Sequence, residues 1–285
     1  MEPYPDNRVP IGVVGAGTLG VQISAHLLHH GYRVILKTRS VDINGSVKKR
    51  VIKILEKYES EGRDPSLDLE VVTNYYALEK CKVVIEAVLE DLSVKIGVLS
   101  GIEDVVSHDA LIFTNSSSIS IDRLAEAFIS PERFLGFHFF NPVSKMGLIE
   151  VVVGTHTDHA TVQKALELVD GIGKEPVVVR NSPGFIVNRL LMWQINEASR
   201  MVEAGVSTIE DIDKAVRLGL NHPLGPFQLA DLIGLDVCFS ILKTLERDLG
   251  LPGYAPSSLI KDMVQKGQLG KKAGQGFYDY SKKQP

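Results

Sequence analysis

Through roughly the first 180 residues, short and nearly continuous apolar runs alternate with stretches of helical periodicity. The runs at 11–14, 33–37, 82–88, 110–114, 134–139, 148–153 and 176–179 are rich in Val, Ile, Leu and Phe. Strands that read this way are buried on both faces, so the pattern predicts an α/β fold: a doubly wound, mostly parallel sheet covered by helices on each side. After Asn181-Ser182-Pro183-Gly184 the character changes, with helical periodicity over 185–204, 208–218 and 226–248 and little strand signal. The expected division is an α/β domain over 1–182 and a C-terminal all-helical domain over 183–285.

The composition leaves that picture intact and removes several classes of function. With 285 residues, 44% hydrophobic and 23% charged, the chain has material for two full cores. A net charge of −4 argues against a nonspecific nucleic-acid binder, which carries a clustered basic excess. The two cysteines, Cys81 and Cys238, are far apart and lack companions at metal spacing, so neither a disulfide framework nor a zinc module is expected. His26, His29 and His30 share a helix but lack further ligands, and are read as a polar helix face. No apolar run is long enough for a membrane span, and a cytoplasmic protein is expected.

The strongest local signal follows the first strand. Gly15, Gly17 and Gly20 form G-x-G-x-x-G, and Leu19, Ile23 and Leu27 then recur every four residues as one helix face would. In a Rossmann-type domain the first glycine permits the turn, the second admits a pyrophosphate, and the third lets helix and strand pack closely. The second strand should end in an acid if it is to hold the ribose 2′-hydroxyl of NAD. Here Lys37-Thr38-Arg39-Ser40 stands instead, so Thr38, Arg39 and Ser40 offer hydroxyls and a guanidinium where a 2′-phosphate would lie, and the reading leans to NADP over NAD.

Further along come Thr114-Asn115-Ser116-Ser117-Ser118, Gly136-Phe137-His138-Phe139-Phe140-Asn141-Pro142, Leu148-Ile149-Glu150 and Asn181-Ser182-Pro183-Gly184-Phe185-Ile186-Val187-Asn188-Arg189. Asn221-His222-Pro223-Leu224-Gly225-Pro226 and Gly274-Gln275-Gly276-Phe277-Tyr278 complete the set. In this order, over nearly the whole chain, they resemble the L-3-hydroxyacyl-CoA dehydrogenase family, which includes the bacterial 3-hydroxybutyryl-CoA dehydrogenases. The resemblance implies that His138 is the general base, with Glu150 behind it at the family's spacing. It implies that Ser117 and Asn188 hold the substrate oxygens, and that Glu90, Lys95 and Asn115 lie on the cofactor side. An active site between the two domains and a homodimer are expected on the same ground.

Alcohol oxidation at a nicotinamide needs a base for the hydroxyl proton, and the ordinary pKa of histidine suits proton transfer in both directions. His138 ends one predicted strand and Glu150 enters the next, so a turn between them would bring carboxylate and imidazole together. The expected activity is NAD(P)-dependent dehydrogenation of a short 3-hydroxyacyl thioester, with no metal.

The resemblance departs from the family's pattern in one region. Residues 47–57 form a basic amphipathic helix carrying Lys48, Lys49, Arg50, Lys53 and Lys57, where the family projects a helical hairpin toward coenzyme A. Lys49 and Lys53 are candidate substrate contacts. The returning segment, 62–73 with Pro65 inside it, is too short for the family's full second helix. A hydroxyacyl unit on an acyl carrier protein, as in polyketide extender-unit synthesis, is therefore the alternative to coenzyme A. A non-catalytic, crystallin-like protein and a dehydrogenase of free hydroxy acids are further alternatives, the first disfavoured by the complete Ser117, His138, Glu150 and Asn188 set.

Overall fold

In the computed structural model the first unit, Met1–Ser182, is built on eight strands. They are β1 (Ile11–Val14), β2 (Val34–Lys37), β3 (Leu69–Val72), β4 (Val83–Glu86), β5 (Leu111–Thr114), β6 (Phe134–Phe139), β7 (Leu148–Val153) and β8 (Glu175–Arg180). The residues described are 4–6, 8–40, 44–58 and 65–281. One sheet contains all eight strands in the order β3-β2-β1-β4-β5-β6-β7-β8. Every neighbouring pair is parallel except β6 and β7. This is the doubly wound, mostly parallel sheet that the continuous apolar runs predict. Ile11, Val13, Val83, Ile85, Ile112 and Phe113 are fully buried, as strands sandwiched between two helical layers must be.

Among the described residues five α-helices accompany the sheet: α1 (Thr18–His29), α2 (Asn44–Leu55), α3 (Leu92–Glu103), α4 (Ile121–Ala125) and α5 (His159–Gly171). Strand order reverses about β1 and β4, the topological switch point where α/β sheets hold ligands beyond the carboxyl ends of their strands. The parallel register aligns Val14, Glu86, Thr114 and Gly136 in one row across β1, β4, β5 and β6. Whatever follows these residues gathers at one edge of the sheet: the glycine loop after Val14, Glu90 after Glu86, the serine turn after Thr114 and His138 after Gly136.

Two elements differ from the sequence expectation. Strand β3 was not anticipated. It is the outermost strand beside β2, and only Leu69 of its residues is buried, so it lacks the apolar run that marks its neighbours. Residues 69–72 of the segment read as a shortened returning helix are thus a strand, preceded by one 3-10 turn, Pro65–Asp68. The start of that segment, Gly62 to Asp64, lies outside the described residues.

The second unit, Pro183–Pro285, contains α6 (Val187–Glu203), α7 (Ile209–Gly219), α8 (Pro226–Ile233), α9 (Leu235–Leu249) and α10 (Ser258–Gln265). The single helix predicted over 226–248 is two, broken at Gly234, whose φ of 106° a side chain rarely adopts. Met192, Ile195, Leu235, Cys238, Leu242 and Leu245 are fully buried in its core. The start of α8 is capped from outside its own sequence: Asp213 of α7 accepts the Phe227 N–H at 2.8 Å and the Gln228 N–H at 3.1 Å. A carboxylate at a helix N-terminus satisfies orphan amides and opposes the helix dipole. Tyr278 Oη donates to the same carboxylate at 2.7 Å, tying the C-terminal turn to it. No helix among the described residues is long and apolar enough to cross a membrane.

Candidate active site

The glycine loop has the shape its spacing predicts. Gly15 adopts φ 113°, and a Cβ there would press on the Ala87 carbonyl; one on Gly20 would overlap the Gly15 carbonyl. At Gly17, by contrast, a Cβ would meet nothing within 4 Å. Gly17 is also the N-cap of α1 and offers no side chain to its amides. An open backbone face at an uncapped helix N-terminus fits a pyrophosphate, which supplies both the acceptors and the negative charge. The residues present therefore fit a dinucleotide.

Beside this loop, Lys37 O accepts the Gly15 N–H at 3.0 Å, which brings the end of β2 against the turn. Thr38 is buried, and its hydroxyl donates to the Ser40 carbonyl at 3.2 Å and the Val72 carbonyl at 3.4 Å. Of the Thr38, Arg39 and Ser40 set, Thr38 thus faces the backbone, while Arg39 is exposed and Ser40 half-buried. Lys49 and Lys53 are exposed on α2.

Sequence reasoning missed Glu86, the last residue of β4. It is fully buried, and both its oxygens bind Lys95 Nζ, at 2.8 and 3.0 Å. Thr114 Oγ1 donates to it at 2.6 Å. An acid closing an otherwise apolar strand was the available signal. Lys95, in the first turn of α3, reaches on to Glu90 Oε2 at 3.3 Å. Glu90 Oε1 in turn accepts the Ser117 N–H at 2.9 Å, the Ser118 N–H at 2.8 Å and the Ser116 hydroxyl at 2.8 Å. Burial pushes the Glu90 carboxyl up, but the Lys95 ammonium and the serine-turn donors outweigh it and hold its pKa below the usual range. A chain from Glu86 through Lys95 and Glu90 therefore fixes the turn that carries Ser117. Asn115, also buried, accepts the Phe139 N–H at 2.8 Å on its Oδ1 and so clamps the end of β6.

On β6 and β7 the antiparallel register sets His138 opposite Glu150. Nδ1 of His138 lies 2.8 Å from Oε2 of Glu150, and both side chains are buried. With Nδ1 held by the carboxylate, Nε2 is the ring nitrogen that can exchange a proton with a substrate. Glu90, Lys95, Asn115, Ser117, His138 and Glu150 are thus joined by direct contacts or by adjacent strand ends at one edge of the sheet. Asn188 belongs to the second unit, in the first turn of α6.

The histidine helix face needs correction. His26 is buried rather than solvated: Nε2 lies 2.9 Å from the Ile172 carbonyl and Nδ1 3.2 Å from Tyr58 Oη. Burial, and then the nearby Lys174, lower its pKa to about 3. Among the described residues no group of three His, Cys, Asp or Glu could hold a metal.

Known proteins resemble this chain in sequence and fold. The model of the 3-hydroxyacyl-CoA dehydrogenase NAD-binding domain matches residues 10–182, and that of the 3-hydroxyacyl-CoA dehydrogenase C-terminal domain matches residues 184–280. The 3-hydroxybutyryl-CoA dehydrogenase of Clostridioides difficile is 38% identical over 279 residues, covering 95% of this chain and 99% of that one. The crystal structure of FadB2 from Mycobacterium tuberculosis is 40% identical with a TM-score of 0.90, over 95% of this chain and 98% of its own. That of the (S)-3-hydroxybutyryl-CoA dehydrogenase PaaH1 from Ralstonia eutropha is 37% identical with a TM-score of 0.92, over 96% and 99%. Matched across both of its units, the chain belongs to the 3-hydroxyacyl-CoA dehydrogenase family of oxidoreductases and carries that family's NAD-binding domain.

Proposed function

We propose that this protein interconverts a short 3-hydroxyacyl thioester and its 3-oxo counterpart, with His138 as general acid–base. The observation that carries the reading is the buried His138–Glu150 pair, set in register at the sheet edge that also bears the glycine loop. In the oxidative direction His138 Nε2 takes the proton of the substrate hydroxyl, and in the reductive direction it returns that proton to the carbonyl oxygen. Glu150 fixes the ring and stabilises the imidazolium that forms. Ser117, whose turn is braced by Glu90, hydrogen-bonds the reacting oxygen. Asn188 is assigned to the substrate's oxygens from the family resemblance.

A nicotinamide dinucleotide, when bound, supplies the hydride acceptor or donor for this reaction. Gly15, Gly17 and Gly20 would hold its pyrophosphate, and Glu90, Lys95 and Asn115 are assigned to its nicotinamide side from the family resemblance. We assign the preference to NADPH, because residues 37–40, where β2 ends, include no carboxylate to meet a ribose hydroxyl, and Arg39 is exposed there. The second unit supports a homodimer through α6, where Leu190 is 67% and Trp193 43% exposed one turn apart on one face.

Coenzyme A is the favoured carrier, as the relatives' names indicate. A carrier-protein thioester is the second reading, resting on the shortness of the segment between α2 and β3. Lys49 and Lys53, exposed on α2, are available to the phosphates of either carrier. Cofactor oxidation measured with the same 3-oxoacyl group on coenzyme A and on a carrier protein tests both readings. Turnover of neither would remove the proposed function, and turnover of the carrier-bound form alone would establish the second reading.

A further inference from the structure

Helix α2 presents Lys48, Lys49, Arg50 and Lys53 as one basic series, and nothing in their spacing separates the arginine from the lysines. The structure does: Arg50 Nη1 donates to the Ala16 carbonyl at 2.9 Å, on the crest of the glycine loop. We propose that Arg50 is a cofactor-selectivity residue that binds the 2′-phosphate of NADP together with Arg39. The proposal rests on the preceding reading that the chain prefers the phosphorylated dinucleotide, and it names a residue that carries the preference.

Its basis is where the backbone puts that guanidinium. Val14 and Lys37 pair in register, and the next amide, Gly15 N–H, closes onto Lys37 O. Ala16 and Thr38 are then the first residues past the joined strand ends. In a dinucleotide held by such a loop the adenosine ribose lies over this junction, with its 2′-oxygen toward the end of the second strand. Arg50 approaches the junction from α2, and Arg39 flanks it from the strand end. Residues 37–40 contain no carboxylate that would repel a phosphate. The Thr38 hydroxyl donates to the Ser40 and Val72 carbonyls.

The mode of attachment suits the task. A guanidinium is a planar fork of five donors, so a single bond to Ala16 orients it without exhausting it. Its partner among the described residues is a neutral carbonyl, so the bond does not cancel the positive charge. Part of the side chain's ordering cost is already met before ligand arrives, which is how preorganisation raises affinity. The competing account is that Arg50 only staples α2 to the loop. A staple would hold both dinucleotides equally well.

The test is fluorescence or calorimetric titration of the whole protein with NADPH, NADH, 2′,5′-ADP and ADP, for the wild type, Arg50→Ala, Arg50→Lys and Arg39→Ala. The ADP pair reads the adenosine end alone and requires no turnover. Arg50→Ala should weaken NADPH and 2′,5′-ADP by about tenfold or more, as expected for losing charged hydrogen bonds, and change NADH and ADP by less than about twofold. Arg50→Lys, which keeps the charge and loses the fork, should fall between. Equal weakening of both members of each pair, or no weakening of either, would overturn the role of Arg50 while leaving the wild-type preference standing. A wild type that does not distinguish 2′,5′-ADP from ADP would overturn the preference itself, and this proposal with it.

Discussion

His138 and Glu150 face one another across the antiparallel step between β6 and β7, with Nδ1 2.8 Å from Oε2. The geometry follows from how β6 is joined to β7. A parallel connection would have sent the chain through a crossover and returned Glu150 at the far end of its strand. A direct return instead places the carboxylate beside a residue at the carboxyl end of β6. Glu150→Gln keeps a hydrogen-bonding group at this position and removes its charge. The expected result is a kcat lowered by about 10²-fold or more with cofactor Kd unchanged, measured by steady-state kinetics beside a binding titration. A normal kcat would take Glu150 out of the mechanism.

Lys95 is 1% exposed and is shared between Glu86 and Glu90. Lys95→Met leaves Glu86, itself fully buried, without its counter-charge. Stability should fall by about 3–5 kcal/mol in denaturant unfolding, the usual cost of breaking a buried pair from one side. The double variant Glu86→Gln with Lys95→Met should recover much of that loss. Because Glu90 braces the serine turn, Lys95→Met should also raise KM for the thioester; a stability loss with unchanged kinetics would separate the network from Ser117.

His26 makes stability depend on pH. Its folded pKa of about 3 lies below the ordinary value of 6.5, so below 6.5 the unfolded chain takes up a proton that the folded one refuses. The contribution is fully present above 6.5 and is lost progressively as pH falls toward about 3. Its slope is at most about 1.4 kcal/mol per pH unit. Chemical unfolding of the wild type and His26→Gln at a series of pH values should show a shallower acid dependence in the variant. Identical slopes would mean that His26 does not stay neutral in the fold.

These features differ in how far they could be read from the chain. The glycine fingerprint was legible because its constraint is local: Gly15 needs a positive φ, and Gly20 must lie against the Gly15 carbonyl, whatever packs around them. The row of buried strands was legible because burial on both faces leaves continuous apolar runs. Strand β3 was not, since Glu70 interrupts its four residues and only Leu69 is buried, which leaves no continuous apolar run. Gly234 read as a helix residue because α8 and α9 continue the same apolar period across it. His26 read as solvated because its partners, Tyr58 and Ile172, come from distant segments. Glu86 and Arg50 share that difficulty. Each acquires its meaning from contacts that only the fold supplies, Glu86 with Lys95 and Thr114 and Arg50 with Ala16.

The proposed function makes His138 the acid–base group acting on a 3-hydroxyacyl thioester. Its most direct test follows the oxidation of NADPH and of NADH with acetoacetyl-CoA, for the wild type and for His138→Ala, with cofactor Kd measured on the same preparations. The wild type should turn over, and the variant should show a kcat lower by about 10²–10⁴-fold at unchanged cofactor affinity. Near-normal turnover by His138→Ala would contradict it.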